Sequence, residues 1–176
     1  MLEEPWYQSL REQWKPSHVR LLLIGESAPD ANADPEARRF FYAPTLSGAD
    51  NLFRGVVQAL YGEVTLAKSD DRTLWLNKLK ADGVYLIDLV PYPVNKLPAA
   101  ARKRAWRDNA LLTVTAAKDL TPDGVIICHA PTFKVLSSPL REAGLPVLHT
   151  EPIPFPLGNF RAKFVEMFRA ALQRKG

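Results

Sequence analysis

The sequence predicts an α/β protein in which helices cover both faces of a parallel sheet. Its apolar runs are short and nearly continuous, each run borders on a turn residue, and helical patterns fill the intervals between them. Continuous rather than alternating apolar runs are typical of strands that are buried on both faces. The chain has 176 residues and shows neither a linker nor a repeat, so we expect a single domain over residues 1–176.

Four apolar runs are the predicted strands. Gly25 closes the first run, and Gly83, Gly124 and Gly144 stand shortly before the other three. Strands that alternate with helices through right-handed crossovers give a three-layer α/β/α fold, here with a four-stranded parallel sheet in the order 2-1-3-4. The predicted strands lie near residues 19–24, 84–88, 125–128 and 146–149.

Helical spacing of apolar residues fills the intervals between the runs. Pro98 suits the first turn of a long helix, and Asn159 is a good N-cap for the last one, where Phe164 and Phe168 share a face. The predicted helices lie near residues 5–14, 50–61, 72–80 and 98–118, from about residue 130, and from residue 159 onward.

Composition and motifs exclude several classes of protein. The single cysteine, Cys128, excludes a disulfide framework and a cysteine-ligated metal or iron–sulfur cluster. No apolar run approaches the ~20 residues that span a bilayer, and the first residues lack the pattern of a signal peptide. The chain contains no dinucleotide-binding, Walker, nucleophile-elbow or zinc-protease motif. We therefore expect a cytoplasmic monomer without a cofactor or a metal.

Polar residues follow the predicted strands where each strand ends. Glu26 and Ser27 follow the first, Asp88 ends the second, His129 follows the third and His149 follows the fourth. In open parallel sheets the ligand lies beyond the carboxyl ends of the strands, so these residues are candidates for one site.

Four segments carry a resemblance to the uracil-DNA glycosylase superfamily. Residues 24–29 read Ile-Gly-Glu-Ser-Ala-Pro, which resembles the first signature loop, Gly-Glu-Ala-Pro-Gly, of one branch. Residues 40–44 (Phe-Phe-Tyr-Ala-Pro) and 51–54 (Asn-Leu-Phe-Arg) are similar to the aromatic stretch and helix start of the mismatch-specific branch. Residues 154–161 (Pro-Phe-Pro-Leu-Gly-Asn-Phe-Arg) occupy the place of the last signature loop.

The resemblance implies base excision from DNA and a role for each candidate. Glu26 would stabilise charge or orient water, Tyr42, with Phe41 as the alternative, would stack on a flipped-out base, and His149 would contact the base. Ser27 stands where the mismatch-specific branch has its catalytic Asn, and Asp88 where several branches have an Asn that reads uracil. An ionised Asp only accepts hydrogen bonds, which favours a base that donates them.

Basic residues suggest where a nucleic-acid backbone would bind. With a net charge of +4 and a pI near 9.3, the chain suits an anionic partner, either single- or double-stranded DNA. The predicted backbone contacts are Arg54, Arg102, Arg104, Arg161 and Lys163.

Two alternatives remain open at this stage. One is a nucleic-acid-binding module with the same fold and no activity, which Ser27 in place of an amide favours. The other is a hydrolase of a small molecule or nucleoside that uses Glu26 with His129 and His149.

Overall fold

A computed structural model describes residues 3–30 and 39–174 of the chain. Within these ranges the chain forms three strands, β1 (Leu21–Gly25), β2 (Val84–Asp88) and β3 (Gly124–Ile127). The helices are α1 (Pro5–Gln13), α2 (Asn51–Tyr61), α3 (Thr73–Ala81), α4 (Ala99–Leu120), α5 (Ala130–Glu142) and α6 (Arg161–Gln173). A short 3₁₀ turn over Gly158–Phe160 leads into α6.

The sheet has the order β2-β1-β3, and both pairs of neighbours are parallel. Leu21 of β1 lies opposite Val84 of β2 and Gly124 of β3, so the three strands start in register. Every residue of β1 is buried, as the continuous apolar run predicts for a central strand. Since the chain steps to opposite sides of β1 when it enters β2 and β3, the carboxyl end of β1 is a topological switch point.

The predicted fourth strand is not confirmed. The 146–149 segment contacts β3 through a single parallel bridge between Val125 and Val147. Its backbone hydrogen bonds there are the Val125 amide to Pro146 O at 2.9 Å and the Leu148 amide to Val125 O at 3.0 Å. Pro146 lacks the amide hydrogen that would extend the ladder at its start, and at the other end the Ile127 amide donates to His149 Nε2 at 3.0 Å instead of to a backbone carbonyl. The described residues therefore form a three-stranded parallel sheet with this segment beside β3.

Two helix pairs, α2 with α6 and α4 with α5, pack against each other beside the sheet. Gly55 lets α2 approach the last loop and α6 closely, because a Cβ on it would lie 2.9 Å from Pro156 and 3.0 Å from Phe164. Asn159 is not the N-cap of α6, since it lies inside the 3₁₀ turn and Phe160 takes the cap position.

Candidate functional site

A cleft of about 730 Å³ opens at the carboxyl edge of the sheet. Glu26 and Ser27 follow β1, Asp88 ends β2 and His129 follows β3, and all four line this cleft. The sheet topology alone therefore brings these candidates together at the switch point. The apolar part of the lining includes Phe40, Phe41, Leu52, Phe53, Pro154, Phe155, Leu157 and Phe160.

Two side chains of α4, one helical turn apart, hold the carboxylate of Glu26. The Arg102 guanidinium donates from Nε to Oε1 at 2.5 Å and from Nη2 to Oε2. The Trp106 indole donates from Nε1 to Oε1 at 2.8 Å. The Glu26 carbonyl accepts the Val90 amide at 2.9 Å, which fixes the backbone as well. The carboxylate is thus held in one orientation at the end of a rigid strand.

Glu26 is ionised at neutral pH. Burial by itself would raise its pKa, but the hydrogen bond from Arg102, the interaction with His129 when that imidazole is protonated, the Arg102 charge and the Trp106 hydrogen bond together lower the pKa below its ordinary value. The result is a fixed negative charge in a largely apolar cleft. A carboxylate in such a place can stabilise a developing positive charge or orient a water molecule.

His129 faces Glu26 across the cleft, with its Nε2 atom 3.9 Å from Glu26 Oε2. Its Nδ1 atom is buried and has no hydrogen-bond partner among the described residues. Burial lowers the pKa of His129, and the raising effect of Glu26 does not offset this. The imidazole is therefore neutral near pH 7 and can donate from one nitrogen and accept at the other.

Asp88 lies deeper than Glu26 and is tied to α1. Arg11 Nη2 lies 3.3 Å from its Oδ2 atom, and the Arg11 Nη1 atom donates to Leu86 O at 2.8 Å. Burial raises the pKa of Asp88 above its ordinary value, and the charge of Arg11 and its hydrogen bond to Asp88 only partly oppose this. Asp88 Oδ1 would lie 2.6 Å from a Cβ on Gly25, so a larger residue at the end of β1 would displace the Asp88 carboxylate.

The prediction that Tyr42 stacks on a ligand is wrong, because Tyr42 does not line the cleft. Tyr42 is 3% exposed, and its hydroxyl donates to Leu86 O at 3.0 Å and accepts from the Leu86 amide at 2.6 Å. That phenol therefore ties the loop to β2 inside the core. Phe41, the alternative candidate, lines the cleft and packs edge-on against Phe53 at 5.3 Å.

The prediction that His149 shares this pocket is also wrong. His149 is 4% exposed and does not line the cleft. Its Nε2 atom accepts the Ile127 amide at 3.0 Å, and its Nδ1 atom pairs with Glu151 O at 2.8 Å. Both ring nitrogens thus satisfy backbone groups, so the side chain connects β3 with the turn after the 146–149 segment.

Three of the five predicted backbone-binding cations make internal contacts instead. Arg54 donates to the carbonyls of Leu66 and Ser47, the latter at 3.0 Å. Arg161 donates to Pro156 O at 3.1 Å and to Asn51 Oδ1 at 3.0 Å, which fixes the last loop.

The other cations differ in exposure. Arg102 pairs with Glu26, whereas Arg104 and Lys163 are exposed and pair with Asp108 and Glu166 on their own helices. Only the last two remain surface charges of the kind predicted.

The sequence reading missed Trp106 and the apolar rim of the cleft. Trp106 lies four residues after Arg102, and this spacing places the two side chains on one face of a helix. The spacing is visible in the sequence and would have pointed to Trp106 as a second neighbour of any group that Arg102 binds. Leu157 and Phe160 are about 60% exposed, and Phe155 is 36% exposed, beside the cleft mouth. Large exposed apolar side chains that cluster at a cleft indicate a binding surface.

A scan against models of known protein families finds none that matches this chain, and a search of curated proteins finds no match either. Over residues 3–30 and 39–174, no group of three or more His, Cys, Asp and Glu side chains is arranged to hold a metal ion. No helix in the described part of the chain is long and apolar enough to cross a membrane.

Proposed function

We propose that this protein is a member of the uracil-DNA glycosylase superfamily that hydrolyses the N-glycosidic bond of a damaged or deaminated base in DNA. The observation that carries the proposal is the ionised carboxylate of Glu26, fixed in a cleft that can hold one nucleobase. The cleft volume of about 730 Å³ lies in the usual range of small-ligand sites.

The order of the strands in the sheet and the position of two loops support the proposal. The strand order β2-β1-β3, with the 146–149 segment beside β3, is compatible with the expected order 2-1-3-4. Both loops that resemble the signature loops contribute to the cleft, the first through Glu26 and Ser27 and the last through Phe155 and Leu157.

Base excision breaks the bond between C1′ and the base nitrogen, and the bonding electrons leave with the base. The sugar then carries positive charge, which the Glu26 carboxylate would stabilise while it orients a water molecule toward C1′. The departing base carries negative charge, which a hydrogen bond from the neutral His129 imidazole would reduce. His129 thus takes the role that the sequence assigned to His149.

The base itself would lie against Phe41, and Asp88 would contact its edge. Aromatic stacking is worth about 1–3 kcal/mol per base and partly offsets the cost of extracting the base from its stack. Burial raises the pKa of Asp88. An ionised Asp88 would accept a hydrogen bond from a base, and a protonated Asp88 would also donate one to a base carbonyl.

The exposed rim of the cleft suits a partner whose bases must leave a stack. Leu157 and Phe160 stand at the mouth of the cleft with most of their surface in solvent. Apolar side chains that enter a base step separate the stacked bases and stabilise the opened nucleic acid. We assign Leu157 and Phe160 to this contact.

One observation favours an inactive nucleic-acid-binding module as the second candidate. Arg102 bonds both oxygens of Glu26, and this pairing partly neutralises the charge that catalysis needs. If that ion pair stays closed when a base is bound, the cleft binds bases without cleaving them.

The test is excision from labelled oligonucleotides that carry uracil, hypoxanthine, xanthine or a thymine mismatch, followed by cleavage of abasic sites. We expect at least one base to be released. Glu26→Gln should lower the single-turnover rate by about 10²-fold or more while affinity changes little, because the amide keeps the shape and loses the charge. Glu166→Gln, which alters an exposed carboxylate on α6, is the matched control.

The outcomes separate the two candidates. Oligonucleotide binding without release of any base would assign the chain to the inactive class. Absence of both binding and release would overturn the proposal for nucleic acid altogether.

A further inference from the structure

A second groove, the α4–α5 groove, lies between the N-terminal halves of α4 and α5. It has a volume of about 610 Å³. Its basic residues are Lys103 and Arg107 on α4 and Lys134 on α5. The rest of its lining is Trp106, Ala130, Pro131, Val135 and Pro152.

The three cations of the α4–α5 groove are exposed. Among the residues that the structure describes, no acidic side chain lines the groove, and none pairs with Lys103, Arg107 or Lys134. Some basic residues elsewhere do have partners, since Arg104 pairs with Asp108 and Arg161 bonds Pro156 O. This groove therefore keeps a local positive charge that the fold itself does not use.

The α4–α5 groove adjoins the cleft. Ala130 and Pro131, at the start of α5, line both cavities. Trp106 forms part of the same wall, because its ring lines the groove while its indole nitrogen donates to Glu26. A ligand that fills the cleft and extends past the start of α5 enters this groove directly.

We propose that the α4–α5 groove binds the phosphates of the nucleic-acid strand next to the nucleotide whose base occupies the cleft. This inference rests on the proposed function, since it takes a nucleic acid as the ligand of the cleft. Lys103 and Arg107 are four residues apart on one helix face, about 6 Å along the axis, and Lys134 stands across the groove. Such a row of cations suits successive phosphates of one strand.

Two features favour a nucleic acid over an acidic protein or a membrane surface. The cations lie in a concave groove, whereas a flat bilayer surface meets protruding charges first. The groove also joins a cleft whose lining is aromatic, and basic tracks beside aromatic platforms are typical of single-strand binding.

The test compares two triple variants that each lose three positive charges. The groove variant carries Lys103→Ser, Arg107→Ser and Lys134→Ser. The matched control carries Lys15→Ser, Lys68→Ser and Lys118→Ser, at exposed positions that line neither cavity. Binding of a fluorescein-labelled single-stranded oligonucleotide is measured by anisotropy over a range of salt concentrations.

We expect the groove variant to bind at least about tenfold more weakly than wild type at low salt. The slope of log K against log salt should become shallower by about 2, since each single-strand phosphate contact contributes about 0.7 to it. The control should retain most of the affinity. Replacing single phosphates by neutral methylphosphonates beside the target nucleotide should weaken wild-type binding at two or three consecutive positions, and should leave the groove variant unaffected there.

Each other outcome overturns a stated claim. If wild type binds the oligonucleotide and the groove variant behaves like the control, the groove assignment is wrong and the proposed function stands. If wild type binds no oligonucleotide at low salt, the proposed function fails together with the groove. If poly-glutamate displaces the oligonucleotide at equal charge concentration, the groove is a general polyanion surface and the assignment to nucleic acid is wrong.

Discussion

Two of the arginine–carboxylate pairs near the cleft, Arg72 with Asp50 and Arg102 with Glu26, differ in what else each arginine holds. Arg72 pairs with Asp50 at 2.8 Å and also donates to the carbonyls of Phe40, Phe41 and Thr45. Its side chain is completely buried, and burial lowers its pKa although Asp50 opposes this effect. We refer to Arg72, Asp50 and these three carbonyls as the anchor cluster.

The second pair, Arg102 with Glu26, belongs to the cleft cluster of Glu26, Arg102, Trp106 and His129. Arg102 makes both of its hydrogen bonds to one carboxylate, and its side chain is 32% exposed. The hydrogen bond to Glu26 raises the pKa of Arg102. An arginine that holds backbone carbonyls fixes a loop, whereas one that holds only a side chain facing a cleft is free to exchange it for a ligand.

The largest effect should come from the anchor cluster. Arg72→Met should lower the free energy of unfolding by about 3–5 kcal/mol, because Asp50 and the three carbonyls lose their donor inside the protein. Urea denaturation measures this directly. A loss under about 1 kcal/mol would mean that the aromatic loop does not depend on Arg72. Asp50→Leu combined with Arg72→Met should recover part of the loss, since no buried charge is then left unpaired.

Substitutions of His149 and His129 should differ in the same way, with effects on the free energy of unfolding of intermediate size. His149→Ala should cost about 2–3 kcal/mol of stability, because the buried Ile127 amide loses its acceptor and a cavity remains. His129→Ala should cost less than about 1 kcal/mol, since the His129 Nδ1 atom has no hydrogen-bond partner in the described part of the chain. Equal losses for both variants would contradict this division between a structural and a functional histidine.

The lowered pKa of His149 predicts how stability depends on pH. Burial lowers the pKa of His149 in the folded state, with the hydrogen bond to Glu151 O opposing it, so below about pH 6.5 the unfolded chain binds more protons than the folded one. The contribution of neutral His149 to the free energy of unfolding is therefore complete above that pH. It is lost as the pH falls toward the pKa of His149 in the folded state. Urea midpoints should decline over this range, and His149→Ala should make the decline shallower.

The sequence predicted the fold well where local pattern and burial agree. The runs near residues 19–24, 84–88 and 125–128 contain strands, of which β1 and β3 are buried throughout and β2 over its first three residues. The 146–149 run forms only one bridge to β3 because Pro146 lacks an amide hydrogen and the His149 side chain takes the Ile127 amide, which apolar character does not reveal.

The candidate site was predictable only as far as the strand ends allowed. Glu26, Asp88 and His129 reach the cleft because real strands end there, while His149 ends a segment that is not a strand. The sequence Phe40-Phe41-Tyr42 does not reveal which of the three aromatic side chains faces the core. It therefore could not show that Phe41 rather than Tyr42 lines the cleft.

The contacts of the basic residues could not be predicted from the sequence for another physical reason. Arg54 and Arg161 have long side chains that reach backbone carbonyls across the fold, and no sequence spacing encodes those distances. The pairing of Arg102 with Glu26 joins residues 76 positions apart and was equally hidden.

The smallest effect on stability should come from the cleft cluster, and it is also the most informative about chemistry. Arg102→Ala should change the free energy of unfolding by only about 1 kcal/mol, because the pair is partly exposed and Glu26 keeps its bond from Trp106. Loss of the strongest lowering influence should raise the pKa of Glu26, since burial still opposes its charge. The acid limb of the excision rate should therefore move to higher pH, while Arg102→Lys should move it less. An acid limb that stays in place in both variants would show that Glu26 is not the ionising group of the reaction, and would leave Arg102 as a group that binds the ligand rather than one that sets the charge of the cleft.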